Sequence, residues 1–391
     1  MGERLCIFLV VFIQLFVFNF AVQPPCPQLC ECSEVESTIA CGGPHFLSIP
    51  ERISDFFETL VVRNASIRSL TKFAFRKSGH LKEIRFEHCN GLHNIEKLAF
   101  KSLKSLRKLS FLYCNHLTQL TKGAFSGMSN EHGVKISFIG TPIQRVHSGA
   151  FRHAHNIREL TIEGQDMTLS RHCFAAINQL DFLTLSGVAL IEPQIFTNSS
   201  RFHVVNIHKS FFDIPPKAFE NLAHVHQLII QRSRIGSIAS DAFASLQTVE
   251  IIEIFDNHIG TIYARAFAEA ENVGRLIVSR NHIEKLESVE SLLAQAVDSK
   301  IEENNVECDC DLQWMTAHTL ERLSDTNYCS STGVFRSVRS YLRNECVRKE
   351  EDSNHLLSSS MHQGSSPSYS MRLSPISTCL SILLIVIFNL I

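Results

Sequence analysis

The chain has 391 residues, 45% of them hydrophobic and 19% charged, with a formal net charge of −2 and an isoelectric point near 6.8. That balance gives no support to a nucleic-acid partner, because such binders carry a basic face. Thirteen cysteines in a chain of this length direct attention instead to an oxidising compartment.

The first residues agree with that compartment. Residues 1–21 read as a secretory signal, with Arg4 in a short charged start, an apolar core from Leu5 to Phe18 and a cut after Ala21. Gly2 opens something like a myristoylation motif, but that motif needs Ser or Thr at residue 6 and the chain has Cys6. Residues 22–56 then hold Cys26, Cys30, Cys32 and Cys41, followed by "FLSIPERI". Four cysteines allow three pairings; zinc is the rival reading, and the secretory signal argues against it. A small disulfide knot of this kind seals the apolar end of a stacked array.

From about Thr59 the chain becomes periodic. A phenylalanine recurs at Phe75, Phe100, Phe125, Phe151, Phe174, Phe196, Phe219, Phe243 and Phe267, at spacings of 22 to 26 residues, and in seven of the nine cases alanine precedes it. Before each phenylalanine runs a segment with alternating apolar positions, such as Leu81, Ile84 and Phe86, or Val249, Ile252 and Ile254. Alternation means a strand with one buried face. A unit of about two dozen residues cannot bury that face alone, so the period means a solenoid. The first apolar residue of each pair, namely Leu60, Ile84, Leu109, Ile136, Leu160, Leu183, Val205, Leu228, Ile252 and Leu276, is expected to face inward.

The pattern L-x-x-L-x-L-x-x-N/C-x-L over residues 57–297 resembles the extracellular leucine-rich repeat family, with about ten repeats. The resemblance implies an α/β repeat fold: a curved solenoid with parallel strands on its concave face and disulfide-knotted caps. It also implies the pairings Cys26 with Cys32 and Cys30 with Cys41. The ninth position of the unit normally holds Asn, which bonds backbone groups of adjacent turns. Here it holds Ala65, Cys89, Cys114, Thr141, Gln165, Val188, Ser210 and Ser233 before the orthodox Asn257 and Asn281. The middle is therefore expected to be less regular than the carboxyl end. Cys89 and Cys114 fall on neighbouring turns, where a disulfide is conceivable and buried free thiols are the default. Cys173 stands in the small-residue slot before a repeat phenylalanine. Of the 19 histidines, His153 with His155 and His224 with His226 fall in returning segments and read as solvated surface residues, since no spacing supplies converging metal ligands. Asn64 in "NAS" and Asn198 in "NSS" are glycosylation acceptors.

Residues 298–349 contain "NNVECDCDLQW", then Cys329 and Cys346. They resemble the carboxyl-terminal cysteine cap of the same family, which implies Cys308 with Cys329 and Cys310 with Cys346. Arg336, Arg339, Arg343, Arg348 and Lys349 make a basic stretch that reads as a solvated mixed surface, with a heparan sulfate or membrane-headgroup site as the alternative. Residues 350–364 read as a flexible stalk. Residues 365–391 read as a glycolipid-anchor (GPI) signal: Gly364, Ser365 and Ser366 are small, Pro367 to Pro375 is a polar spacer, and an apolar tail follows. That tail, Ile376 to Ile391, would span only about 24 Å as a helix, short of a roughly 30 Å hydrocarbon core. Gly364 is the expected attachment point.

No catalytic constellation is present, so an enzyme is not expected, and no cofactor or metal is called for. The layout is similar to that of the Nogo-receptor and connectin families. It implies a protein on the outer side of the plasma membrane that binds an extracellular or cell-surface protein ligand, in adhesion or together with a transmembrane co-receptor. A secreted or matrix structural protein is the alternative. On the concave face, strand residues flanking the buried pairs form columns about 40 Å long. Two clusters in them are apolar: Leu112, Tyr113 and Ile139; and Ile229, Ile251 and Phe255, flanked by Arg232, Asp256 and Arg280. Exposed apolar clusters with aromatic and arginine neighbours are where binding energy concentrates. The competing expectation is that a glycan on Asn64, an irregular register or the caps cover these clusters, or that the ligand uses the convex side.

Overall fold

The computed structural model describes residues 26–346, apart from 176, 178, 197–200, 247, 269–272, 289–297, 317–320 and 332–333. The signal segment, the stalk, the anchor signal with Gly364, Arg348, Lys349 and the acceptor Asn198 lie outside the described residues. The chain divides into two compact units, Met1–Leu342 and Arg343–Ile391, and of the second only 343–346 are described.

The first unit is a parallel-strand solenoid of about eleven turns. Its main sheet opens with the antiparallel pair Cys30–Ser33 and Thr38–Gly42. Every later strand then joins in chain order and in parallel, from Thr59–Arg63 through Glu83–Glu87 and Lys108–Leu112 to Val273–Ser279 and Asp298–Glu302. A second sheet lines the flank of the carboxyl half, from Phe211–Ile214 to Val334–Ser337. The ten residues expected to face inward are all buried, none more than 1% exposed. The eleventh turn, carried by Asp298–Glu302, is one more than the sequence pattern suggested, because the consensus dissolves there into the cap.

The repeat phenylalanines form a continuous spine. Each is at most 2% exposed, and every successive pair from Phe75 to Phe267 stacks, with ring centroids 4.8 to 6.5 Å apart and planes within 28°. The period exists because each ring packs on its counterpart in the next turn, which supplies the apolar contact a lone turn lacks.

Turns are also tied together through the ninth position. Asn257 Nδ2 donates to Ile230 O at 2.9 Å, and Asn257 Oδ1 accepts the Ser233 N–H at 3.0 Å. Asn281 repeats this arrangement, with Nδ2 donating to Ile254 O and Oδ1 accepting the Asn257 N–H. The ladder then continues through Asn304 and Asn327 into the cap, two rungs the repeat pattern did not mark. Toward the amino end the rungs weaken chemically: Cys89 Sγ–H donates to Val62 O and Cys114 Sγ–H to Phe86 O, at 3.4 and 3.7 Å. Gln165 does not serve as a rung, because its side chain is exposed. The parallel register slips between Glu163 and Met167, and Met167 turns fully inward instead. In that region strand and return segment merge into the long strands Ser129–Val146, His155–Leu169 and Gln179–Ile191, so the middle is the irregular part.

Disulfides join Cys26 to Cys32, Cys30 to Cys41 and Cys308 to Cys329. Cys310 and, in the second unit, Cys346 are disulfide-bonded as well. Cys89, Cys114 and Cys173 are free and buried. The hydrogen bond between Cys89 and Cys114 lowers the Cys89 thiol, the same contact and then burial push that of Cys114 upward, and burial raises that of Cys173 well above its ordinary value. All three are closed to solvent, at most 1% exposed, so a reagent cannot reach even the lowered Cys89 thiol. Iodoacetamide is therefore expected to leave all three unmodified in the folded protein and to label them only in denaturant, as peptide mass spectrometry would read. Labelling of Cys89 or Cys114 under native conditions would contradict the burial.

Candidate functional site

The solvent face of the main sheet is built by strand alternation. Three columns run along it. The carboxyl half reads Phe182, Val204, Gln227, Ile251 and Arg275 in the first column, then Thr184, Asn206, Ile229, Glu253 and Ile277 in the second. The third reads Ser186, His208, Gln231, Phe255 and Ser279, every neighbour in register with the next. In the amino half the same columns carry more charge, and several of these charges are paired: Arg63 with Glu87 at 3.1 Å, Lys108 with Glu83 at 3.1 Å and Lys135 with Glu159 at 2.6 Å. Such exposed pairs add little stability; their effect is to leave that surface nearly neutral.

The carboxyl half differs in kind. Ile229, Ile251 and Phe255 are half-buried and the strands bring them onto adjacent turns, as the pattern predicted. Phe182, which is 46% exposed, and the half-buried Val204 and Ile277 extend the apolar patch. Sequence reasoning missed these three, although they occupy the same alternate positions. The polar groups between them are spent on each other: Gln227 Nε2 donates to Glu253 at 2.8 Å and Gln231 Nε2 to Asn206 Oδ1 at 3.1 Å. Burial, followed by Lys209, lowers the pKa of His208 at the edge of the patch, which favours the neutral ring.

Directly after the last residue of each turn that pairs in the main sheet the chain makes a left-handed residue, among them Asn64, His88, Tyr113, Gly140, Gly187, Arg232, Asp256 and Arg280, with φ between 48° and 68°. This bend swings the following ninth-position side chain inward. Several of these residues donate their N–H to the next turn, for instance Tyr113 to Ile139 O at 3.0 Å. The positive φ is thus an architectural feature of the repeat and not local strain at one site. It also places Arg232, Asp256 and Arg280 on the rim beside the patch. Arg280 lies 5.3 Å over the Phe255 ring and bonds Asp256 Oδ1 at 2.8 Å, and the hydrogen bond with Asp256 raises its pKa. Phe255 is therefore held by a guanidinium that is itself held.

The first predicted cluster also assembles. Leu112 is half-buried beside Ile139, which is 36% exposed, and Tyr113 is 50% exposed on the rim. Asn64 is exposed on the same rim. Among the described residues no group of three or more His, Cys, Asp and Glu side chains could hold a metal ion. His226, for its part, bonds Glu250 at 2.6 Å and stacks on His203.

The sequence profile of the BspA type leucine rich repeat region matches in six copies over residues 56–181 and 167–289, which is more than half of the chain. No curated protein matches. Solved structures that match include human 5T4 (Wnt-activated inhibitory factor 1, trophoblast glycoprotein), 16% identical, covering 81% of this chain and 97% of that one with a TM-score of 0.35. Another is the TLR13–ssRNA13 complex, 17% identical, covering 72% of this chain and 38% of that one with a TM-score of 0.46.

Proposed function

Because the chain belongs to the BspA-type leucine-rich repeat family, we propose that it is a cell-surface recognition protein that binds a protein ligand through the concave face, in adhesion or as a co-receptor. The observation that carries this is the patch of Phe182, Val204, Ile229, Ile251, Phe255 and Ile277. Its polar neighbours are already paired, so its unmet interaction is apolar. Apolar and aromatic groups framed by arginine make the anchors of protein interfaces. Phe255→Ala is expected to weaken binding of a cognate protein ligand by about 2 kcal/mol or more, without altering secretion. Surface plasmon resonance on the secreted variant reads the affinity, and unchanged affinity would remove Phe255 from the interface.

The same reading places the protein on the outer leaflet, tethered by a glycolipid at Gly364. It is supported by the small triplet Gly364, Ser365 and Ser366, the spacer and the apolar stretch. Phosphatidylinositol phospholipase is expected to release the protein from cells. Retention after that treatment, or peptides from Leu380 to Ile391 in surface material, would favour the secreted or matrix alternative or another mode of attachment.

A further inference from the structure

Three consecutive turns place Asn64, His88 and Tyr113 at one structural position, the left-handed residue after the strand, with φ of 48°, 53° and 55°. Their backbones are locked in line. The Asn64 N–H donates to Glu87 O at 3.0 Å, His88 to Leu112 O at 2.9 Å and Tyr113 to Ile139 O at 3.0 Å. The His88 and Tyr113 rings stack, with centroids 5.2 Å apart and planes 9° from parallel. On the far side Tyr113 lies over Gly140, where an added Cβ would fall 2.5 Å from Tyr113 Cδ1. The Tyr113 ring is thus enclosed between an imidazole and a glycine backbone. His88 is exposed and has Tyr113 on one face, so its other face is turned to the preceding turn. That turn carries Asn64.

Asn64 opens the acceptor triplet Asn64-Ala65-Ser66, is exposed, and its side chain has no hydrogen-bond partner among the described residues. Neighbouring turns lie about 4.8 Å apart, close to the length of one sugar ring. We propose that the His88–Tyr113 stack is a cradle for the protein's own N-linked glycan, with the first N-acetylglucosamine on Asn64 lying against the free face of His88. An imidazole face and the apolar C–H face of a pyranose are matched in size and polarity, and burial of both removes apolar surface from water. Occupied in this way, the rim beside Leu112 and Ile139 is closed to a protein ligand, while the patch around Phe255, many turns away, stays open. The inference rests on the secreted, extracellular placement of the chain and not on the identity of any ligand, so it can fail while the concave assignment stands.

The test uses the full chain produced in glycosylating eukaryotic cells, with peptide mass spectrometry to read occupancy and peptide-N-glycosidase as the probe. In the native parent, release at Asn64 is expected to be slow and to become fast once the protein is unfolded. His88→Asn, which keeps a residue tolerant of left-handed φ and creates no new acceptor triplet, is expected to speed native release at Asn64 about fivefold, the scale of one lost aromatic contact. Release at Asn198 in the same variant should not change, which separates loss of the cradle from loss of the fold. An unglycosylated Asn64 would overturn the proposal, as would native release as fast as from unfolded protein or a His88→Asn rate equal to that of the parent. Should His88→Asn not be secreted, the native-to-unfolded ratio in the parent decides alone: a ratio near one overturns it, and strong native protection supports it.

Discussion

Replacing Phe125 with Ala is expected to cost about 3 to 5 kcal/mol of folding stability. Phe125 is fully buried. Its ring is stacked between Phe100 at 5.6 Å and Phe151 at 5.0 Å, and meets Phe138 edge-on at 6.1 Å. Truncation removes all three contacts and leaves a cavity in the spine, and both neighbouring rings are fixed by their own partners, so the site cannot collapse to fill it. The solenoid adds a second effect. Stability here is close to a sum of turns and nearest-neighbour interfaces, and Phe125 contributes to the interfaces on both of its sides. Urea unfolding followed by circular dichroism would show a lower midpoint, and a shallower or split transition if the two halves uncouple. A loss under about 1 kcal/mol would mean the spine does not carry the fold.

Asn281→Leu is expected to be comparably damaging although Leu is close in size. Asn281 is 1% exposed. Its Nδ2 donates to Ile254 O at 2.8 Å, and its Oδ1 accepts the Asn257 N–H at 3.0 Å and Asn257 Nδ2 at 3.1 Å. Leucine offers none of these, and each buried group left without a partner costs about 1 to 3 kcal/mol. The orphaned Ile254 carbonyl and Asn257 N–H together give a loss of about 3 to 5 kcal/mol. Cys89→Ala is the informative contrast. Cys89 occupies the same position but only donates weakly, its Sγ 3.4 Å from Val62 O. Its removal should cost roughly 1 kcal/mol. Equal losses for the two variants, measured by the same denaturation, would show that the ladder's hydrogen bonds contribute nothing beyond volume.

Why some of this was legible in the sequence follows from the same physics. The phenylalanine period and the apolar pairs could be read directly, because burial is enforced in every turn and few residue types satisfy it. Leu60 to Leu276 and Phe75 to Phe267 could hardly be otherwise. The ladder was legible only where it is written in asparagine. Asn304 and Asn327 were hidden inside the cap, where the surrounding leucines no longer mark the register. Gln165 was misplaced because a slip in strand pairing leaves no trace in the local pattern. The left-handed row was legible only in part: Asn64, His88, Gly140, Gly187 and Asp256 are types that tolerate positive φ, whereas Tyr113, Arg232 and Arg280 are not, and the hand of each turn is imposed by its neighbours. In the concave patch, Ile229, Ile251 and Phe255 stood out in turns that fit the consensus. Phe182 and Val204 lie on strands whose register the irregular middle obscured.

The claim that matters most is that recognition runs through the carboxyl half of the concave sheet. Its most direct test is a side-by-side affinity measurement, on secreted proteins against one cognate ligand, of Phe182→Ala, Phe255→Ala and Tyr263→Ala. Tyr263 is 41% exposed but follows the flank strand His258–Ile262, off the concave face. Losses of about thirtyfold for each of the two phenylalanine variants, with Tyr263→Ala binding like the parent, are the predicted result. Parental affinity in both phenylalanine variants together with a loss in Tyr263→Ala would contradict the assignment and move the ligand to the other side of the solenoid.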